Sequence, residues 1–260
     1  MASAIDHLAV AVPDPAAAAE LLTERLGISF SSGGQHPGFG TGNRIAFLGD
    51  QYLELIGVVD QSLARHWPVG KATIDALERG GGLATYALVE DDLEAAVARL
   101  QAAGSSIGRM TGGSRQREDG EVVELWTASP AELGLDRPPF LIKHARVGSE
   151  WGAEALAARR EMRRPIGSPA ILVRLDIATP DPPALAADYA AQIGVEFWAV
   201  ADLAVSTVGP QTIRLVPSGE MEVPAAIVIG ADVEGPRTLE ALGLRFDIEP
   251  VKLPAAVPAG

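Results

Sequence analysis

The chain has no cysteine. That removes thiol nucleophiles, cysteine-ligated zinc and disulfide staples together. It also lacks a basic excess: 34 Asp and Glu against 21 Lys and Arg leave a formal net charge of −13. Nucleic acid and anionic membrane both reward basic patches, so neither is expected as a partner. The densest basic group, Arg159, Arg160, Arg163 and Arg164, falls at the end of an expected helix, where cations offset the helix dipole. No apolar stretch reaches bilayer-spanning length. The opening MASAIDHLAV has no basic segment followed by a long apolar run, so it does not read as a signal peptide. A cytoplasmic location is the resulting expectation. His-Glu-x-x-His and Gly-Lys-Ser/Thr are missing too, which argues against zincin proteases and P-loop nucleotide binding.

What is present is a repeat. IDHLAVAVPDPAAAAELLTERLGI opens the chain, GLATYALVEDDLEAAVARLQAAGS begins at Gly82, and LVRLDIATPDPPALAADYAAQIGV begins at Leu172. Each reads as a short strand, an acidic turn, an amphipathic helix and a closing glycine. The spacing agrees without a gap. Seven residues separate His7 from Asp14, Ala84 from Asp91 and Arg174 from Asp181, and thirteen separate each Asp from Gly27, Gly104 or Gly194. An aspartate suits the start of a helix, and a glycine suits its left-handed end. Strand-like runs follow: RIAFLG and QYLELIGVV, then EVVELWTA and PFLIKHA, then TIRLVP and AAIVIGA.

The unit is thus βαβββ, and one unit alone cannot bury its apolar face. The expected fold is α+β, with repeated βαβββ modules whose curved mixed sheets pair to form a cup. Residues 1–146 are expected to hold two paired modules. Residues 147–165 read as a linking helix, capped by Ser149 and ended by Pro165. Residues 166–260 read as a third, degenerate module that ends in a Pro/Ala-rich tail.

This repeat, with DHLAVAVPD on the first strand and YLELIG on the fourth, resembles the vicinal oxygen chelate superfamily. GGQHPGFGTGNRIAFLGDQYLELIGV is similar to its glyoxalase-like branch in particular. Alternation along the first strand places Ile5, His7, Ala9 and Ala11 on one face and Leu8, Val10 and Val12 on the other. On the fourth strand Tyr52, Glu54 and Ile56 share a face. The resemblance implies that both polar residues face the cup and that His7 and Glu54 ligate a divalent metal: Zn, Mn, Ni or Fe. The second module departs from the family pattern, because Ala84 stands at the position matching His7 and PFLIKHA supplies no acid. A divalent site normally takes at least three protein ligands. His144, in phase with Phe140 and Ile142, is one choice for the third, and His36 on the glycine-rich loop is another.

That loop precedes a strand rather than a helix, so it is not a dinucleotide fingerprint. Its glycines suit close backbone approach to a ligand at the mouth of the cup. His36, Gly40, Thr41 and Asn43 are the expected contacts there, with Trp126 as a pocket wall. The resemblance implies a small oxygen-bearing substrate, an anionic intermediate stabilised by Lewis-acid action, and isomerase, lyase or dioxygenase chemistry. Glu54 and His36 are the proton-transfer candidates. The alternative on the same fold is a metal-free protein that sequesters a small molecule. Pairing into a homodimer is a further expectation.

Overall fold

The computed structural model describes residues 2–31, 33–117, 119–145, 147–161 and 166–252. Arg163, Arg164, Pro165 and the tail from residue 253 lie outside the described residues, as do the side chains of Arg159 and Arg160. The first repeat forms β1 (Ala4–Ala11), α1 (Pro15–Leu26), β2 (Gly34–His36), β3 (Thr41–Leu48) and β4 (Gln51–Val58). Two helices, α2 (Gln61–Ala64) and α3 (Pro68–Glu78), lead to the second repeat. That repeat forms β5 (Gly82–Val89), α4 (Leu93–Ala102), β6 (Thr111–Gln116), β7 (Val122–Ser129) and β8 (Phe140–Ala145).

The helix signals act as their chemistry requires. The Asp14 carboxylate accepts from the N–H groups of Ala16 and Ala17 at 2.8 and 3.1 Å, and Gly27 ends α1 at φ 76°. Asp181 and Gly194 do the same for α6 (Pro182–Ile193). In the second repeat the cap moves one residue, to Asp92 rather than Asp91. A short 3-10 turn at Ser149–Trp151 precedes α5 (Ala153–Glu161). Ser149 does not cap this helix as expected. Its N–H and hydroxyl donate instead to Glu121, at 2.9 and 3.0 Å.

The eight strands of the first two repeats close into a barrel in the order β1-β4-β3-β2-β6-β7-β8-β5. Period-2 alternation divides the apolar residues between two cores. Leu8, Val10, Leu53 and Leu55 point outward to Leu22 and Leu26 of α1 and to the same core as Leu93 and Leu100 of α4. Ala9, Ile56, Ala87, Phe140 and Ile142 point inward. Helix α3 lies on part of this inner surface, where its Ala72 and Ala76 pack against Ala11 and Ala84. The position matching His7 in the second module is therefore small and covered.

The remaining strands are β9 (Ala170–Thr179), β10 (Trp198–Val200), β11 (Leu203–Val208), β12 (Gln211–Pro217), β13 (Ala225–Ala231), β14 (Arg237–Ala241) and β15 (Leu244–Pro250). They form one seven-stranded sheet, β10-β11-β12-β9-β13-β15-β14. This order repeats β2-β3-β4-β1-β5-β8-β7 with the same parallel and antiparallel pairings. Ala225–Ala231 thus opens a fourth unit, one without a counterpart of α4 or β6, and the sheet stays open. On this sheet Arg174 stands where β1 has His7, and Arg214 stands where β4 has Glu54. Both arginines bind buried Asp176: Arg174 at 3.0 Å, and Arg214 through two bonds at 2.7 and 2.6 Å. Barrel and sheet share one apolar core, and Tyr86 of β5 donates a hydrogen bond to Tyr189 of α6 across it at 2.9 Å.

Candidate active site

The surroundings of His7 begin with a slip in strand pairing. On β1, Ile5 pairs with Leu88 of β5 and His7 with the adjacent Ala87. Asp6 is therefore one residue too many, a β-bulge. Strict alternation would give Ile5 the face of His7. Instead Ile5 joins Leu8 and Val10 in the outer core, and the Asp6 side chain comes to the histidine side. Its Oδ1 accepts from His7 Nδ1 at 2.6 Å and from His144 Nε2 at 2.9 Å. Burial by itself would raise the Asp6 pKa. Attraction to His144 and hydrogen bonds from both histidines outweigh it and hold the carboxyl well below the usual carboxylate range. An ionised Asp6 is an acceptor only, so His7 Nδ1 carries the shared proton.

The imidazole of His7 stacks on Tyr52, with centroids 4.6 Å apart and planes 13° from parallel, and meets Phe140 edge-on. With Nδ1 held by Asp6, its Nε2 lies 3.7 Å from Glu54 Oε2. Strand pairing delivers this approach. β1 and β4 run parallel, Tyr52 pairs with His7, and Glu54 is two residues further along the same face. Glu54 is only 5% exposed. Asn43 of β3 donates from Nδ2 to Glu54 Oε1 at 2.7 Å. His36, at the end of β2, brings its Nε2 to 3.6 Å from the same oxygen, while its Nδ1 lies 2.8 Å from Thr41 Oγ1. Each carboxylate oxygen of Glu54 thus faces the Nε2 of a different histidine, and a second polar group positions each ring. Asn43 Oδ1 is buried without a hydrogen-bond partner, an acceptor left over in the cavity wall.

His7, His36, Thr41, Asn43, Glu54 and His144 all line one cavity. Trp67, Trp126 and Phe140 supply its aromatic wall. The Trp126 indole crosses β6 at Gly113, where a Cβ would come within 2.2 Å of the ring. Gly40 does not line the cavity. It has φ +68°, its carbonyl accepts from Val59 and Asp60, and a Cβ there would meet Asp60 O at 2.3 Å, so its place is in packing the turn. Arg115 also lines the cavity. Sequence reasoning passed over both Asp6 and Arg115.

Two arrangements bear on metal binding. Among the described residues, Asp6, His7 and His144 form one group whose ligand atoms lie within 4.8 Å of one another. In that group the atoms already stand at hydrogen-bond distances, and Glu54 is not a member. On the cavity side, His7 Nε2 and Glu54 face each other with Asp6 bound behind the histidine. A carboxylate behind a ligating imidazole, fixing its tautomer, is the usual support for such a ligand. Imidazole plus carboxylate is also a donor set that suits a divalent first-row ion. The cavity side thus offers a metal two of the three donors it would need, His7 Nε2 and Glu54, with His36 Nε2 as the nearest further one.

One further motif lies outside the cavity. Gly104-Ser105-Ser106-Ile107-Gly108 has the Gly-x-Ser-x-Gly spacing of hydrolases. It follows a helix instead of joining a strand to one. The Ser106 hydroxyl bonds Gln192 at 2.9 Å, tying the barrel to α6.

Residues 5–193 match a family model described as glyoxalase-like domain. A hypothetical protein from Staphylococcus aureus superposes with a TM-score of 0.75 at 14% sequence identity, covering 95% of this chain and 99% of that one. A mutant form of 4-hydroxymandelate synthase from Streptomyces coelicolor gives 0.50 at 17% identity, covering 89% and 71%. A methylmalonyl-CoA epimerase variant from Streptomyces coelicolor, in complex with 2-nitronate-propionyl-CoA, gives 0.42 at 19% identity, over 57% of this chain and 99% of that one. No curated protein matches the chain.

Proposed function

The chain belongs to the glyoxalase-like domain family of the vicinal oxygen chelate superfamily, and from that premise we propose a divalent-metal enzyme that moves a proton on a small oxygen-bearing substrate. The observation that carries the reading is the setting of Glu54, a buried carboxylate with a histidine Nε2 at each oxygen, 3.7 and 3.6 Å away. His7 and Glu54 would hold the metal, with His36 as the nearest further donor. When bound, such an ion supplies Lewis-acid stabilisation of developing negative charge on a substrate oxygen. The protein's own groups do the rest. Asp6 fixes the proton of His7 on Nδ1 and keeps Nε2 toward the cavity. Asn43 orients the Glu54 carboxylate. Glu54 accepts a proton from carbon, and His36 exchanges one at Nε2 while Thr41 holds its other nitrogen. The aromatic wall lowers the local dielectric, which strengthens each of these interactions.

The test follows carbon-bound protons. The protein is incubated in D₂O, with Mn, Zn, Ni or Fe(II) supplied in turn, with a set of small hydroxyketones, diketones and oxo acids, and exchange is read by NMR. Metal-dependent exchange lost by at least 100-fold in Glu54→Gln supports the proposal. Exchange unaffected by that change would refute it. One observation favours a second reading, metal-free sequestration of a small molecule: α3 covers Ala84, where the family pattern has a second histidine. Tight binding of an organic compound with no metal uptake would decide for that reading.

A further inference from the structure

Gln211 breaks the pattern of its strand. β12 alternates, and Ile213 and Leu215 turn into the apolar core that barrel and sheet share. Gln211 lies in phase with them, where an apolar side chain is due, and is only 1% exposed. A buried amide is costly unless it finds hydrogen-bond partners. Its Oε1 accepts from the backbone N–H of Ile5 on β1 at 3.3 Å. The turn before it reaches the same strand. Gly209, at φ +59°, stands so close to the start of β1 that a Cβ there would come within 2.2 Å of Ser3 O and 3.3 Å of Ala4 Cα.

This contact falls at the bulge. Ile5 pairs with Leu88 just before the slip, and the pairing of β1 with β4 begins only at His7. Gln211 therefore meets β1 at the residue where the bulge opens. A regular strand would keep Ile5 on the His7 face and turn Asp6 away, in phase with Leu8 and Val10. The bulge exchanges the two, and a bulge disrupts the ladder around it. An acceptor carried on a neighbouring sheet holds the chain at that point in one of the two arrangements. The close seat of Gly209 on Ser3 limits sliding of the strand start in the same way.

We propose that Gln211 is a positioning residue of the candidate active site: by holding the Ile5 N–H it keeps the bulge in place, and with it the Asp6 carboxylate against His7 and His144. The second sheet thereby serves the site in the barrel through its β11–β12 hairpin. This rests on the reading of His7 as a site residue, and not on whether a metal is held there. The test therefore uses the full chain after EDTA treatment, with folding checked by circular dichroism and the histidine rings read by ¹H and ¹⁵N NMR. Gln211→Met keeps the volume and removes the acceptor, whereas Gln211→Glu keeps a carbonyl oxygen in the same place. Gln211→Met is expected to lose the resonance of the His7 Nδ1 proton bonded to Asp6, to show a mixture of His7 tautomers, and to exchange the Ile5 amide at least tenfold faster than wild type. Gln211→Glu is expected to retain the wild-type ring spectrum even where its buried carboxyl lowers stability. Should Gln211→Met fail to fold, Gly209→Ala presses the turn off Ser3 and should show the same ring changes. An unchanged His7 tautomer in a folded Gln211→Met or Gly209→Ala protein, loss of the ring signature in a folded Gln211→Glu protein, or a wild-type Ile5 amide that exchanges as fast as an exposed one would each overturn the proposal. Failure of the metal reading is seen separately, as absent metal uptake by a wild type whose rings still respond to Gln211→Met.

Discussion

Replacing Asp6 by Asn changes little in shape and much in charge, so it isolates the role of the bulged residue. The carboxylate makes two hydrogen bonds, at 2.6 and 2.9 Å, each to an imidazole N–H. Hydrogen bonds to a charged group contribute roughly 1.5–3 kcal/mol each. Both bonds fall on one oxygen, so an asparagine keeps that acceptor and loses the charge that strengthens each bond. Against this loss stands relief from burying a carboxylate, the largest single influence on Asp6. The net expectation at neutral pH is a loss of about 1–2 kcal/mol. In a chain of this size that lowers the melting temperature by about 2–8 °C, at roughly 2–4 °C per kcal/mol. Because the folded pKa of Asp6 lies below its ordinary value of 3.8, its contribution is present above that pH and is lost as pH falls below it. The stability gap between wild type and Asp6→Asn, measured by urea titration, should hold from pH 7 to about 5 and shrink below about 4. Long-range ¹⁵N spectra should show the His7 proton on Nδ1 in wild type and a mixture of tautomers in the variant. A variant within about 0.5 kcal/mol of wild type, the ordinary range for a surface substitution, or a gap that does not shrink in acid, would refute the reasoning.

Two other perturbations follow from buried contacts. Tyr189→Phe leaves the Tyr86 hydroxyl buried without its acceptor and should cost about 1–3 kcal/mol, whereas adding Tyr86→Phe should recover part of that loss, because replacing both partners strands neither. Burial raises the pKa of both hydroxyls above 10.0, so their contribution is present below that pH and is lost as pH rises past it; the double variant should lose less stability than wild type between pH 10 and 12. Gly113→Ala places a methyl 2.2 Å from the Trp126 ring, and is expected to shift tryptophan emission and cost about 1–3 kcal/mol by overpacking. Equal melting temperatures and identical emission would contradict it.

Most of the polar cup is legible in the sequence, because His7 and Glu54 lie on strands whose alternation is regular at those positions. The same rule failed one step away. Ile5 was placed on the His7 face, and the bulge between Ile5 and His7 sends it outward while bringing Asp6 in. A bulge inserts a residue without changing composition, so alternation has no means of registering it. Arg115 was hidden for another reason. Its strand contains two glycines and no large apolar residue, so neither the strand nor its place beside β2 is announced. The fourth unit was missed because it has no helix, and the spacing from acidic cap to closing glycine was the repeat's clearest sign. AAIVIGA therefore read as the end of the third module, while its pairing with β9 matches that of β5 with β1.

The central claim is that His7 and Glu54 anchor a divalent ion facing the cavity. Metal analysis of protein purified without added metal or chelator, repeated after dialysis against Mn, Fe(II), Ni or Zn, tests it most directly. Close to one ion per chain is expected in wild type, and loss of that ion in folded His7→Ala and Glu54→Ala proteins. An ion that remains in Glu54→Ala but disappears in Asp6→Ala would move the site to Asp6, His7 and His144. No uptake of any of the four metals by the folded wild-type chain would contradict the claim outright.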